Sequence, residues 1–461
     1  MLNISFEGYR NDMIEALKGF IRIESVKSEP GPNMPYGKGI FDALMYVQSV
    51  AEKIDLECVN LYGQMGYVDY GYGEKMLGIL THVDVVPAGG GWTVDPFGGI
   101  EKDGRVYGRG AVDDKGPAIA ALYAIKALKD NCIQLNKKVR LLFGTDEEST
   151  WGDMEFYKAH ARHPDIAFSP DGEYPVINTE KGAIQLELSA SFEPAKNGGM
   201  AIVGFESGSR ANIVPNKAEC VLKADFEDIR KRVEGYECPI GGVFTCEALS
   251  TGNVRVSVAG KSAHGSLPEN GINAACSLIG FLDTLPLADG GAEDAVRLLA
   301  KKIGFKYYGQ GLGLEASDFS GRLTVNLGAL SVGKGRFAAK IDIRYPVTFP
   351  KESVDEKVKE NFAGFGIEYT LSLPTHHVPE ESPLVSALKQ VYEEATGEKA
   401  YCIALGGATY ARAFPNAVTF GPLFPGQPKV EHGPDEYIEI DSLMKNARLI
   451  ANAIAKLCEE P

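Results

Sequence analysis

The chain has 461 residues, 44% of them apolar and 24% charged, an ordinary globular composition that excludes a disordered or fibrous polymer. At roughly 100–200 residues per domain it has room for two to four domains. Its 62 acidic and 47 basic side chains leave a net charge of -15, a field that repels phosphate backbones and argues against nucleic acid as a partner. No run approaches the ~18 uncharged apolar residues of a membrane span, so no membrane partner is expected. The first residues carry early acids and no continuous apolar core, which does not read as a secretory signal. A cytoplasmic protein is therefore expected. The eight cysteines, at 58, 132, 220, 238, 246, 276, 402 and 458, lack C-x-x-C spacing and read as reduced thiols.

In chain order, residues 10–24 place Met13, Ile14, Leu17, Phe20 and Ile21 on one helical stripe. Residues 40–53 repeat that pattern. Largely apolar runs follow at 76–87, 138–149 and 166–172. Between the first two, residues 115–131 predict a helix, with Pro117 in its first turn and Ile119, Leu122, Ile125 and Leu128 at helical spacing. Strand, helix, strand, with buried strands, is the pattern of an α/β domain built on a mostly parallel sheet with helices over it. From about residue 182 the strands alternate in polarity instead, as half-exposed antiparallel strands do. That stretch includes a helix at 272–285, a hairpin at 322–346, a helix at 351–363 and a strand at 366–373. Buried-strand texture returns at 401–407 and 417–422. The chain closes on a helix with Leu443, Ala447, Ile450 and Ile454 on one face. The expected organisation is a catalytic domain in two parts, 1–181 and 375–461, interrupted by an α+β insert at 182–374.

The buried-looking runs and the loops around them end in acids or histidine. They supply His82 and Asp84, Asp113 and Asp114, Asp146, Glu147 and Glu148, Asp171 and Glu173, and Glu431 and His432. In a parallel α/β sheet the carboxyl ends of the strands are where ligands bind. Carboxylates crowded there raise one another's pKa, a conflict that a divalent cation removes. Histidine and carboxylate donors without thiolate point to zinc or manganese. On a strand, His82 and Asp84 share a side, so Asp84 is expected to hold the His82 ring. On extended backbone Glu147 and Glu148 point apart, so one is free to ligate while the other takes a proton from water.

Singly, each residue has a plainer reading. His-x-Asp is usually a buried hydrogen-bonded pair. Asp113 suits a helix N-terminus. Glu147 and Glu148 suit a solvated strand end, and Asp171 before Gly172 is a turn residue. His264 suits a turn, Arg344 an edge strand, and Arg412 the wet side of a helix. The ordered set carries more than its members. GILTHVDVVP, YGRGAVDDKGP, FGTDEES, SPDGEYPV, ANIVPN, GKSAHGS and VEHGPDE together resemble the di-zinc peptidases that include the carboxypeptidase, aminoacylase and carnosinase families. GWTVDPFGG, the long insert and GGATYAR most resemble the PepV-like bacterial dipeptidases.

This resemblance implies two divalent metal ions, zinc first and manganese or cobalt as alternatives. His82 and Asp171 would bind one and Glu148 and His432 the other, with Asp113 bridging and the Asp113–Asp114 peptide cis. Glu147 would be the general base and Asp84 its catalytic companion. His264, from an inserted lid that is doubled in this group, would stabilise the oxyanion. Asn212, Arg344, Gly407, Thr409 and Arg412 would meet the substrate. The implied activity is dipeptide hydrolysis by a monomer acting on a small peptide. A deacylase of N-acyl amino acids is the alternative, and a non-catalytic binding protein of the same fold a third. Apart from the resemblance, a dipeptidase must recognise a free α-amine, for which the sequence offers Asp114 and Glu173 without choosing between them.

Overall fold

The computed structural model describes residues 2, 4–193 and 199–459. The chain divides into two compact units, one formed by Met1–Thr179, His377–Ile403 and Ala408–Pro461, the other by Glu180–His376 with Ala404–Gly407.

The first unit is organised by a mixed sheet. Strands Lys138–Gly144, Met76–His82, Ile166–Ser169 and Ala417–Thr419 lie side by side and parallel. Antiparallel strands extend both margins. Cys58–Leu61 and Met65–Tyr70 form a hairpin on one side; on the other, Ile177 pairs with Thr419. Met76–His82 is buried along its whole length, as a parallel strand covered on both faces must be. The two-residue period of the strand divides its side chains between two cores. Leu77 and Ile79 join a large cluster with helices Arg10–Ile21, Lys38–Lys53, Lys115–Asp130 and Ile440–Leu457. Leu80 faces the opposite way, onto Met154, Tyr157, Tyr410 and Phe414. Helices therefore cover both faces. Helix Lys115–Asp130 begins directly after Asp113 and Asp114, and Gly116 makes that entry possible. A β-carbon there would stand 2.2 Å from the Ala111 carbonyl oxygen.

The second unit is an antiparallel sheet of eight strands. A hairpin, a helix and a strand occur in that order twice. The first set is Ala201–Gly208, Lys217–Lys223, Phe226–Glu234 and Val243–Ala248; the second is Thr324–Gly333, Arg336–Tyr345, Lys351–Asn361 and Gly366–Leu373. The two sets join mid-sheet, where Ala201–Gly208 pairs with Thr324–Gly333. One core serves both, with helix Ala274–Leu282 almost wholly buried in it.

Some elements differ from the sequence reading. Cys402–Leu405 is half exposed rather than buried, because it pairs at the margin of its sheet and not within it. Ala404–Gly407 groups with the second unit although its sequence neighbours lie in the first. Helices Gly291–Lys302 and Pro383–Thr396 do not figure in that reading, although Ser382 caps the latter by accepting the Val385 N–H. All eight cysteines are unpaired thiols, and among the described residues no helix is long and apolar enough to cross a membrane.

Candidate metal centre

The parallel register of the first unit delivers the site. His82 is the last residue of its strand and lies opposite Gly144, so the loop carrying Glu147 and Glu148 leaves the sheet beside it. The neighbouring strand Ile166–Ser169 leads directly to Asp171. Asp113 arrives from the loop that feeds helix Lys115–Asp130. His432 arrives from the loop ahead of the last helix, with its backbone in the left-handed region at φ 61°.

These side chains meet around Asp113. His82 Nε2 lies 3.1 Å from Asp113 Oδ1 and 3.8 Å from Asp171 Oδ2. His432 Nε2 lies 3.0 Å from Asp113 Oδ2 and 2.9 Å from Glu148 Oε1. His82, Asp113 and Asp171 thus form one potential ligand group and Asp113, Glu148 and His432 a second, with ligand atoms within 4.8 Å of one another in each. Asp113 belongs to both and turns a different oxygen to each histidine. The Asp113–Asp114 peptide is cis.

The electrostatics of this cluster are strained. Burial raises the pKa of Asp171, and the Asp113 charge raises it further. Burial and then Asp113 do the same to Glu148. Glu147 is pushed well above the carboxylate range by burial, with Asp171, Glu148 and Asp113 adding to the shift against the opposing pull of His82. Asp113 is the exception: burial would raise it, but hydrogen bonds from His432 and His82 outweigh that and hold it far below. Desolvation favours a neutral His82, yet its contacts to Asp113 and Asp84 push its pKa up. A pair of divalent cations at these groups would relieve the repulsion among the carboxylates. Glu147 Oε1 is shut from solvent and has no hydrogen-bond partner among the described residues. The donor set of two imidazoles and three carboxylates, one of them shared, fits a pair of divalent cations.

The structure revises two expectations about the supporting residues. The His82 ring is held chiefly by the Asp84 main-chain carbonyl, 2.9 Å from Nδ1, while the nearer Asp84 carboxylate oxygen stands at 3.4 Å. That carboxylate accepts the main-chain N–H groups of Glu147 and Glu148 at 3.2 and 3.0 Å. With about four acceptor sites, one carboxylate can serve both, so Asp84 orients the two glutamates as well as standing beside the ring. Glu147 and Glu148 sit in a turn, not on extended backbone, and this is why both amides can face one carboxylate.

Arg109 and Glu436 are the residues the sequence reading missed. Arg109 is 1% exposed and pairs with Glu436 at 2.6 Å. The same guanidinium donates to the His432 and Ala88 carbonyls, both at 3.2 Å. Glu436 Oε1 in turn accepts the Val112 and Asp113 N–H groups at 3.0 and 3.3 Å. One buried ion pair therefore ties the loop bearing Asp113 to the loop bearing His432. Tyr410 closes the other side, edge-on to His82 and hydrogen-bonded to Asp153. Of the two acids considered for amine recognition, Asp114 is wholly buried and accepts the His82 N–H. Glu173 pairs with Lys429.

Asn212, His264, Arg344 and Gly407 belong to the second unit, Thr409 and Arg412 to the first. The Asn212 carbonyl accepts the Gly265 N–H at 2.7 Å, next to an isolated bridge between Ile213 and His264. Arg344 is buried, forms a two-pronged pair with Asp342 and donates to the Gly406 carbonyl at 2.9 Å. Thr409 Oγ1 accepts the Ala411 N–H and meets Thr419 Oγ1 at 2.9 Å. Arg412 lies on the short helix Tyr410–Ala413.

The chain is similar along its length to known proteins. It is 39% identical to a Bacillus subtilis (strain 168) protein provisionally assigned as the dipeptidase YtjP, with 98% of both chains aligned. It is 32% identical to the Beta-Ala-Xaa dipeptidase of Lactobacillus delbrueckii subsp. lactis, over 98% of this chain and 97% of the relative. Human carnosine dipeptidase 1 shares the fold with a TM-score of 0.62 at 15% identity, over 98% of this chain and 97% of the other. Residues 78–456 match the model of Peptidase family M20/M25/M40, and the chain belongs to that family.

Proposed function

We propose that this protein is a metal-dependent dipeptidase that carries two divalent cations, zinc in the first instance. The observation that carries this reading is the pair of ligand groups sharing Asp113, with Glu147 Oε1 shut from solvent and without a hydrogen-bond partner beside them. Full-length similarity to dipeptidases supports the substrate class. His82 and Asp171 would hold one cation, Glu148 and His432 the other, and Asp113 both. When bound, such a pair supplies Lewis-acid polarisation of the scissile carbonyl and lowers the cost of ionising water. Glu147 takes the proton from the attacking water and passes it to the leaving amine nitrogen. Asp84 keeps Glu147 and Glu148 at fixed height by accepting both their amides. His264 donates a hydrogen bond to the carbonyl oxygen as it gains charge. Asn212, Gly407, Thr409 and Arg412 contribute to substrate binding. Arg344 contributes through the Gly406–Gly407 turn that it holds.

The test is hydrolysis by protein loaded separately with zinc, manganese and cobalt. The panel holds α-dipeptides, β-alanyl dipeptides, tripeptides and N-acetyl amino acids. Cleavage of dipeptides with a free amine, far above the other classes, is expected. Cleavage of the N-acetyl amino acids alone would make the protein a deacylase. No cleavage of any class by fully metallated protein would overturn the enzymatic reading.

A further inference from the structure

In the segment Ser262–Ser266 a main-chain donor faces the His264 ring. The main-chain N–H of Ser266 donates to His264 Nδ1 at 3.2 Å. An amide N–H can only donate, so Nδ1 must present its lone pair. The Ser266 hydroxyl lies 2.7 Å from the same nitrogen; with the amide already fixing Nδ1 as acceptor, the hydroxyl donates into the same lone pair, which the two donors share. In a neutral imidazole whose Nδ1 accepts, the ring hydrogen resides on Nε2. A hydrogen on Nδ1 would instead confront the Ser266 amide and leave that donor unpaired.

We propose that Ser266 is a positioning residue that fixes His264 as the neutral Nε2–H tautomer, so that the imidazole offers a hydrogen-bond donor rather than a base. The proposal rests on the reading of His264 as the group that meets the oxyanion, and it supplies the protonation state that role requires. A neutral donor stabilises developing charge without having to surrender a proton in the same step.

Ser266 is itself held on every side that the argument needs. It is 4% exposed. Its carbonyl accepts the Thr324 hydroxyl at 3.3 Å. Gly406 packs directly against it: a β-carbon at 406 would stand 2.7 Å from Ser266 Cβ and 2.9 Å from Oγ. Gly406 is anchored through its carbonyl by Arg344, which Asp342 grips with both oxygens. The backbone ahead of Ser266 is fixed by the Gly265 N–H to the Asn212 carbonyl at 2.7 Å. The backbone behind it is fixed by the Leu267 N–H to the His264 carbonyl at 3.0 Å. Arg344 and Gly406 thereby act on the imidazole through Ser266. This gives a physical use to two residues whose own polar groups are already engaged.

The deciding measurement is long-range proton–nitrogen NMR on protein labelled with ¹⁵N-histidine, where His264→Ala identifies the His264 signals among the seven histidines. The expected pattern at neutral pH is a protonated Nε2 and a bare Nδ1. A protonated Nδ1, whether from the other tautomer or from an imidazolium, overturns the proposal. Ser266→Ala keeps the amide donor and removes the hydroxyl. It should mix the Nδ1–H tautomer into the spectrum and lower kcat about tenfold, the modest end of effects for groups that orient functional histidines. KM and metal content should stay within about twofold. An unchanged tautomer and unchanged kcat in Ser266→Ala also overturn it. The parent reading fails separately: His264→Ala with undiminished turnover removes the oxyanion role, and with it the catalytic half of this proposal, whatever the spectrum shows.

Discussion

The two units hold their functional side chains by opposite means. In the first, charge is packed against charge. Asp113, Glu148 and Asp171 share a small volume with His82 and His432, and each group's protonation depends on the others. In the second, His264 is held by a serine hydroxyl and main-chain amides. The architecture explains the contrast. A parallel sheet ends several strands at one edge and brings their loops together there. An antiparallel sheet leaves its connections to be fixed by local turns. The first kind of site needs counter-cations to be comfortable, whereas the second is formed without them.

The largest effect expected from breaking this contrast comes from Asp113→Ala, which removes the ligand common to both groups. Both metals should be lost by elemental analysis, and activity should fall by at least ~10³-fold with the Lewis acid. Retention of two full equivalents of metal would show that Asp113 does not bridge. Glu147→Gln comes next. It leaves every proposed ligand in place, so metal content should be kept while kcat falls ~10²–10⁴-fold, the scale of a lost general base. Unchanged turnover in the metallated variant would refute the role.

Arg109→Met should act through geometry alone. Cutting the tie between the Asp113 and His432 loops is expected to weaken metal affinity ~10–100-fold, read by competition with a chromophoric chelator. Glu436→Gln should follow it, and neither should alter the NMR signature of His264. The smallest effect separates the units by thiol labelling. Burial raises the pKa of Cys58 and Cys458 in the first unit and of Cys220 and Cys276 in the second. Each should therefore react only when its surroundings open. Metal present at ten times its Kd stabilises the unit that binds it by a factor of about ten. Chelation should then speed labelling of Cys58 and Cys458 about tenfold and leave Cys220 and Cys276 unchanged. Exposed Cys132 should label at once in both states, and equal acceleration at all four buried thiols would remove the distinction.

Much of the first unit could be read before folding because its signals are local. Buried strands announce themselves as apolar runs, and the residues at their ends are legible as a set even where each alone is ordinary. What escaped depends on distance along the chain. Arg109 and Glu436 form one ion pair across more than three hundred intervening residues; each lies within a motif quoted for its acids and histidine, but nothing in either motif marks the other as its partner. Asp84 shows the same limit at short range. Alternation along a strand puts its carboxylate on the side of His82, but the strand ends at His82, and beyond it the same carboxylate also accepts the amides of the turn at Glu147 and Glu148. Ser266 closes the motif GKSAHGS, yet nothing in that motif gives it a role. Only the approach of Gly406 and the Ser266 N–H aimed at Nδ1 mark it out.

The pairing of Ile166–Ser169 with Ala417–Thr419 also sets a timetable for biosynthesis. Ala167 leaves the ribosome long before its partner Ala417 has been made. At ~5–20 residues per second the wait is on the order of ten seconds or more. Throughout that interval the central sheet of the first unit has an open edge in its most apolar region, a template for the wrong partner. The second unit's sheet has no such delay, since all eight of its strands emerge within 182–373. The later-finished unit is thus the one that carries the proposed metal ligands. A nascent chain of this protein passes through a stage in which its second unit can be complete while the sheet of its first unit still awaits its closing strand.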